Sequence, residues 1–309
     1  MTRLLPAPVD AETARRAGIE AAVAGAHGAE AVAPGVVRFA LATPTLPPAT
    51  TTNHVLLGPR AAIVVDPASP HADGRSRLLQ LCRALERDAG WSFATALPTH
   101  HHRDHFAAAA PLRFALGVDV VGHRRTAALL GEQLSFDRHV DEGDWVGGAG
   151  GTGDEDRGWQ VWWTPGHAPG HLALVHHDGA AIVGDLVAGE GTILIDPSDG
   201  DMGLYLSSLA RLVERDPPWL IPAHGPVLRP GRDVLQRTIN HRKAREAKIL
   251  AALSWNLQAE DALLPTAYDD TPRRIWPLAL RSLRSHLWHL HTQGLAQSES
   301  GRWRKATLM

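Results

Sequence analysis

The amino-acid sequence predicts an α+β protein in two parts, with a boundary near residue 230. Up to that point, short apolar runs of strand length alternate with segments of helical spacing. Beyond it, long helical segments are followed by a short pair of strands, which is the order of a winged helix-turn-helix. We therefore predict a larger domain over residues 1–230 and a small helical, winged-helix-like domain over residues 231–309.

In the first part, the predicted strands are short apolar or alternating runs. They are Val36–Leu41, Asn53–Leu57, Ala61–Val65, Phe93–Leu97, Val118–Val121, Gln160–Trp163, Leu172–His176, Ala180–Val183 and Trp219–Ile221. The predicted helices have apolar residues three and four positions apart. They are Gly74–Arg87, Phe106–Leu116 and Leu204–Glu214. Asp178-Gly179 predicts a hairpin turn. Gly147–Gly158 is rich in glycine and acidic residues and is predicted to be a loop.

The second part reads as helices and a hairpin. Val234–Leu253 is one long predicted helix of basic and apolar residues. Thr271–Gly294 is a second helical region that we expect to break or bend near Pro277. Leu295–Leu308 resembles a short β-hairpin with Ser300-Gly301 at its turn.

Composition limits the class of protein. The 309 residues can bury a large core, and 44% hydrophobic with 21% charged residues is an ordinary soluble balance. No apolar run approaches the ~20 residues that span a bilayer, and Met1–Gly28 lacks the pattern of a signal peptide. Because Cys82 is the single cysteine, we expect no internal disulfide and a reducing, cytoplasmic location. Any metal ion must then be held by His, Asp or Glu.

Charge is unevenly distributed along the chain. Residues 231–309 carry 13 Lys and Arg against 7 Asp and Glu, a balance of +6, and the remainder carries −8. A basic module attached to an acidic one suggests a polyanionic partner. The alternative is an ordinary variation in surface charge.

One segment concentrates metal-binding side chains. Residues Thr99–His105 read His-x-His-x-Asp-His after a strand-like run. In an extended segment His100 and His102 would share a face, since side chains alternate. Asp104 and His105 follow where the chain turns toward the next helix. His101 would lie on the opposite face and is not expected to be a ligand.

Three strand-to-loop junctions supply further ligand types beside glycine. They are Thr164-Pro165-Gly166-His167, Gly184-Asp185 and Ala223-His224-Gly225. Together they predict one ion held by His100, His102 and His167. Asp104, His105 and His224 would hold a second ion, with Asp185 between the two.

Imidazole and carboxylate suit Zn²⁺, although Fe and Mn accept such ligands. Two ions about 3.5–4 Å apart would clamp a bridging hydroxide. We expect Asp104 to orient this hydroxide, as the predicted catalytic residue. Two neighbouring roles stay open: His171 is either a ligand or, as we favour, a support for one, and Asp66 either buttresses a ligand histidine or caps a turn.

These motifs resemble those of the metallo-β-lactamase-fold hydrolases. The resemblance covers roughly residues 30–230 and places a residue at each of the seven metal positions of the dinuclear members. It implies an αβ/βα sandwich with the metals at the sheet edges between its two halves. The third motif position is His102, where flavodiiron proteins have Glu, which argues for hydrolysis over oxygen reduction. Persulfide dioxygenases keep much of the motif with a single iron.

Further segments resemble the lactamase-beta-2-type branch, which ends in a winged helix. They are Val187–Ile193, Leu204–Leu209, His241-Arg242 with Arg245-Glu246, and Ser285–Leu290 with Gly294. Some members of that branch are endoribonucleases that act on single-stranded RNA. The expected function is a dinuclear metal-dependent hydrolase of a phosphodiester or of a thioester or acyl ester. The alternatives are a glyoxalase II-like thioesterase and a non-catalytic, nucleic-acid-binding sensor.

The expected partners follow from these functions. They are a small ester or thioester, or single-stranded nucleic acid, with no membrane partner. A second copy of the chain, in a homodimer, is a further candidate partner.

Overall fold

The computed structural model describes residues 10–148 and 157–307. Most of the predicted Gly147–Gly158 loop therefore lies outside the described residues. The chain divides into two compact units, the first formed by residues up to Gly122 with Leu129–Val161, the second by His123–Ala128 and the chain from Trp162 onward. None of the described helices is both long enough and apolar enough to cross a bilayer.

The first unit is built on a sheet whose strands follow chain order. These strands are β1 (Ala29–Ala33), β2 (Val36–Ala42), β3 (Thr51–Leu57), β4 (Ala62–Val65), β5 (Phe93–Leu97), β6 (Asp119–Gly122) and β7 (Arg138–His139). Neighbours are antiparallel from β1 to β4 and parallel from β4 to β7. Strands β8 (Trp145–Val146) and β9 (Trp159–Trp163) pair with each other in antiparallel orientation.

Helices cover one face of this sheet. They are α1 (Ala11–Ala24), α2 (Ala72–Ala89), α3 (Arg103–Phe106) and α4 (Ala109–Leu116). Helix α5 (Arg124–Leu130) follows β6 in the chain. The core combines Leu78, Leu81 and Leu85 of α2 with Phe39 of β2 and Val64 of β4. The helix predicted over Phe106–Leu116 is wrong in one respect, because it is interrupted at Ala107–Ala108. The backbone N–H of Ala108 donates to the carbonyl of Pro67 at 2.7 Å instead of extending α3.

The second unit begins with β10 (Leu172–Val175), β11 (Ala181–Gly184), α6 (Met202–Glu214) and β12 (Leu220–Pro222). Strands β10 and β11 form the predicted hairpin, with Gly179 in the left-handed conformation at φ +90°. Strand β12 pairs with β11 in parallel. Helix α7 (Gly231–Ala252) packs with α6, and Tyr205, Leu209, Leu235 and Ile239 share their core.

The C-terminal elements of this unit form a winged-helix arrangement. They are β13 (Gln258–Ala259), α8 (Glu260–Ala267), α9 (Trp276–Thr292), β14 (Ala296–Glu299) and β15 (Arg302–Lys305). The strands pair in the order β13, β15, β14. Helix α8 is not predicted from the sequence, because its Pro265 interrupts the helical pattern. The expected bend at Pro277 is wrong, because this proline lies in the first turn of α9, where a missing N–H costs nothing.

Candidate metal centre

In the first unit, Asp66 fixes the start of the histidine-rich segment. Strands β4 and β5 are parallel, so their ends bring Asp66 beside Thr99. The Oδ1 of Asp66 accepts a hydrogen bond from the Thr99 backbone N–H at 2.7 Å, and Oδ2 accepts from the Thr99 hydroxyl at 3.1 Å. Asp66 is 2% exposed and has a left-handed φ of +48°. This buried carboxylate therefore joins two strand ends.

Asp66 also orients His105. Its Oδ2 lies 3.0 Å from Nδ1 of His105, which is fully buried at the start of a short helix. The opposite ring nitrogen, Nε2, faces Oδ1 of Asp104 at 3.7 Å. Two ligands of a tetrahedral zinc ion with bonds of about 2.0–2.1 Å lie about 3.3 Å apart. The His105 and Asp104 ligand atoms thus have a spacing suited to one ion.

His100 and His102 converge in the same segment. The Nε2 of His100 lies 3.0 Å from Nδ1 of His102, while Nδ1 of His100 lies 3.1 Å from the Thr99 hydroxyl. The segment 99–102 consists of bends. Their approach therefore comes from turns and not from the strand-like alternation that the sequence suggested.

His54, which sequence analysis missed, supports the loop that carries Asp66. It is fully buried on β3, and its Nε2 accepts from the backbone N–H groups of Ala68 and Ser69 at 3.1 and 3.2 Å. Its Nδ1 lies 3.1 Å from the Thr52 carbonyl. Burial lowers the pKa of His54 to about 4, so it accepts these bonds as a neutral ring. The one available signal was a histidine inside an apolar strand.

In the second unit, helix α6 and the residue that precedes it hold the loop that carries His167. The Ser208 hydroxyl donates to the Pro165 carbonyl at 2.7 Å, and the Asp201 N–H donates to the Gly166 carbonyl at 2.8 Å. Gly166 has φ +130°, and a Cβ there would lie 2.2 Å from the Tyr205 backbone nitrogen. Only glycine allows this approach.

Asp185 lies between two histidines of the second unit. Its Oδ2 is 3.3 Å from Nε2 of His167, and its Oδ1 is 3.4 Å from Nε2 of His224. His167 is oriented from its other side, because its Nδ1 lies 2.9 Å from the Leu194 carbonyl. All three residues are buried. Each carboxylate oxygen is thus paired with one imidazole at the separation expected for ligands of a shared ion.

His171 supports this set from behind. Its Nδ1 lies 2.8 Å from the Thr164 hydroxyl, and its Nε2 accepts from the Asp185 backbone N–H at 3.0 Å. Since both ring nitrogens have protein partners, the structure gives His171 the support role that we favoured. Asp66 has both of the roles left open for it. It supports the ring of His105, and it accepts hydrogen bonds at the Thr99 turn.

Each unit therefore assembles part of the predicted ligand set. The first brings together His100, His102, Asp104 and His105, and the second brings together His167, Asp185 and His224. His101, not expected to be a ligand, is half-buried in the same loop. Each set combines imidazole and carboxylate groups, and the second ring nitrogens of His100, His105 and His167 contact protein atoms. This is the chemistry that zinc and similar divalent ions require. The donors fit a metal.

A family model described as the metallo-beta-lactamase superfamily matches residues 47–224, more than half of the chain. The chain belongs to the metallo-beta-lactamase superfamily. A second model, the beta-lactamase associated winged helix domain, matches residues 260–303. These matches confirm the resemblance and the predicted fold class, a mixed α/β sandwich followed by a winged helix.

Curated relatives of this metallo-beta-lactamase superfamily member match the chain over shorter stretches of sequence. A beta-lactamase-like protein 2 homolog of Drosophila melanogaster is 33% identical over 135 residues, covering 42% of this chain and 44% of the relative. A hydroxyacylglutathione hydrolase of Rhizobium meliloti is 39% identical over 89 residues, 29% of this chain and 31% of the relative. The matched stretch thus spans less than half of either relative. Together with the two His/Asp sets, these relationships support a metal-dependent hydrolase.

Solved structures share the fold over most of the chain. A beta-lactamase domain protein from Burkholderia ambifaria aligns with a TM-score of 0.75 and 22% identity, covering 90% of this chain and 93% of that one. A metallo-beta-lactamase family protein from Thermus thermophilus aligns with a TM-score of 0.70 and 21% identity, covering 89% and 100%. At these identities the likeness establishes the fold.

Proposed function

We propose that this protein is a dinuclear, zinc-dependent hydrolase that cleaves a thioester or a small acyl ester. One ion would be held by His100, His102 and His167. The second ion would be held by Asp104, His105 and His224. Asp185 would bind both ions. The observation that carries the proposal is Asp185, whose two oxygens face two different imidazoles at 3.3 and 3.4 Å. A carboxylate placed in this way is suited to joining two ions.

The metal ions would supply hydroxide near neutral pH by lowering the pKa of water from 15.7 to about 7, and would polarise the scissile carbonyl. The protein residues do the positioning. Asp104, half-buried beside His105, orients the attacking water. Asp66 and His171 fix the ring of one ligand and the backbone of another, so that the donor atoms need little rearrangement as the reaction proceeds.

Two observations favour a thioester over a nucleic acid. One curated relative is a hydroxyacylglutathione hydrolase. In addition, the basic residues of α9 that could contact a strand are engaged within the protein, since Arg281 pairs with Asp196 and Arg284 with Glu260 at 2.7 Å. Trp303, a candidate for base stacking, is 2% exposed. Arg281 and Arg284 are thus held in ion pairs, and Trp303 is part of the core of the winged helix.

Single-stranded RNA is the second candidate substrate. Two other tryptophans favour it, because Trp255 is 65% exposed and Trp288 is 49% exposed on this basic module. Exposed aromatic rings beside positive charge can stack on bases. A non-catalytic sensor would bind nucleic acid through the same surface without hydrolysing it.

A substrate panel separates these functions. Zinc-loaded protein is assayed with S-lactoylglutathione, an acyl-CoA, a lactone and single-stranded RNA, and its metal content is measured on the same sample. We expect two zinc ions per chain and thioester turnover that a chelator abolishes. Cleavage of RNA alone would indicate that the substrate is a phosphodiester. Binding of a nucleic-acid duplex without any hydrolysis would favour the non-catalytic sensor.

A further inference from the structure

Helix α7 buries a positive charge that has no acidic partner. Arg242 is 4% exposed, and its guanidinium donates to the Ile193 carbonyl and lies 5.4 Å from the Tyr205 ring centre. Its Nε is buried and has no hydrogen-bond partner within the described part of the chain. Across residues 10–148 and 157–307, no carboxylate lies within 4.0 Å of this group. Burying a charge without a counter-charge is unfavourable, so the site suits an anion.

Arg242 lines a cavity of about 210 Å³ whose lining also includes a second arginine, a histidine and hydroxyl groups. Arg237, His241, Thr192 and Thr238 contribute to it, and no Asp or Glu belongs to its lining. This volume equals about seven water molecules in the liquid. It is smaller than the ~300–1,000 Å³ of pockets that enclose whole ligands. The cavity therefore fits one charged group of a larger molecule.

The cavity adjoins the segment that carries the ligands of the second unit. Val187 and Ile193 line it, and the chain between them follows Asp185 directly. The next residue, Leu194, offers the carbonyl that orients His167. Tyr205 also lines the cavity, and its hydroxyl donates to the Leu186 carbonyl at 2.6 Å. A group bound there would be held on the same short segment as Asp185.

We propose that this cavity is an oxyanion subsite that takes a carboxylate or phosphate group carried by the substrate. Arg242 is the central cation, Arg237 at the exposed rim attracts the group, and the hydroxyl of Thr192 donates to its oxygens. The role in substrate binding rests on the proposed hydrolase function. The existence of the anion site does not, so the two are tested separately.

Binding of inorganic phosphate to metal-loaded protein, measured by calorimetry, tests the site itself. The variants are Arg242→Met and Arg237→Met, and the matched control is Lys243→Met, which removes an exposed charge from the same helix outside the cavity lining. We expect one phosphate-binding event to weaken about tenfold or more in the arginine variants and to stay unchanged in the control. Phosphate binding at the metals would be common to all four proteins.

Identical isotherms for the wild type and Arg237→Met would overturn the subsite. Because Arg237 is exposed, this variant decides the matter even where Arg242→Met fails to fold. An adventitious interaction with surface charge would weaken equally in the control and would also count against the proposal.

A pair of thioesters tests the role in substrate binding. The wild type should prefer S-lactoylglutathione, which carries carboxylates, to the uncharged S-lactoyl-N-acetylcysteamine by about tenfold or more in kcat/KM. Arg237→Met should lose this preference, and Lys243→Met should keep it. An unchanged preference in Arg237→Met would contradict the role. Turnover of neither thioester would count against the proposed function, while the phosphate titration would still decide whether the subsite exists.

Discussion

The two ligand sets of this protein are built in different ways. The first lies within the seven residues Thr99–His105 and is held by one buried carboxylate, Asp66. The second gathers His167, Asp185 and His224 from three separate strand ends, and helix α6 holds the loop of the first of these. A contiguous set takes much of its geometry from the local chain, whereas a dispersed set depends on the packing of the surrounding unit. Substitutions around the second set should therefore lower the stability to unfolding. Substitutions around the first set should lower the affinity for metal.

The largest effect should come from removing the charge that the second set shares. Asp185→Asn keeps the shape but weakens two imidazole–carboxylate pairings. We expect loss of at least one metal ion per chain and a fall in kcat/KM of more than about 100-fold, beyond the 10–100-fold typical of residues outside the ligand shell. Elemental analysis and thioester assays measure both. Asp178→Asn is the control, since this carboxylate pairs with His176 at the hairpin turn. Equal metal content in the two variants would contradict the role of Asp185.

Gly166→Ala tests the dependence of the second set on packing. The new Cβ would overlap the Tyr205 backbone and the residue would keep a φ of +130°, so we expect about 2–4 kcal/mol less stability to unfolding. Urea titration measures this. Gly294→Ala is the matched control, because Gly294 has a φ of +73° but no atoms within 4 Å of the new Cβ, and it should lose only about 1 kcal/mol. Similar losses in both variants would mean that the α6 contact contributes little.

Asp66→Asn makes the corresponding test of the first set. The amide cannot accept from both Thr99 and His105 as the carboxylate does. We expect metal affinity to fall by about 10–100-fold with a smaller loss of stability than Gly166→Ala. Competition with a zinc chelator gives the affinity. A variant that unfolds before it loses metal would erase the contrast between the two sets.

At neutral pH the smallest effect is that of His54, whose contribution changes only as the pH falls. Burial lowers its folded-state pKa to about 4 from the ordinary value of 6.5. The unfolded chain then binds the extra proton first, so stability is complete above pH 6.5 and is lost as the pH falls toward 4, by about 1.4 kcal/mol per pH unit within that window. Urea titrations at pH 7, 6 and 5 should show a smaller decline in His54→Gln than in the wild type. Parallel declines would mean that His54 does not remain neutral.

The contrast between the sets also explains what sequence could reveal. The pattern of His100, His102, Asp104 and His105 can be read from spacing alone, and the distant ligands were found because each follows an apolar strand beside glycine. The strand Phe93–Leu97 and the Asp178-Gly179 hairpin have strong local signals, and both are confirmed. By contrast, three elements have weak local signals in the sequence. Helix α8 contains a proline, and strands β7 and β8 have two residues each.

The residues that support the ligands were harder to find. His54 reaches Ala68 and Ser69 across 14 and 15 residues, and Arg242 reaches Ile193 across 49. Such contacts are created by tertiary packing and leave no periodic trace in the sequence. The N-terminal helix α1 is a different case, since its Asp10 cap is a local signal that is visible in the sequence.

The most direct test of the central claim is a metal titration of chelator-treated protein with thioester hydrolysis as the readout. If both ligand sets serve one dinuclear centre, metal-free protein is inactive and activity returns with added zinc until about two equivalents are bound. Full activity in verified metal-free protein would contradict the proposal, and saturation at a single equivalent would contradict the shared, two-ion role assigned to Asp185.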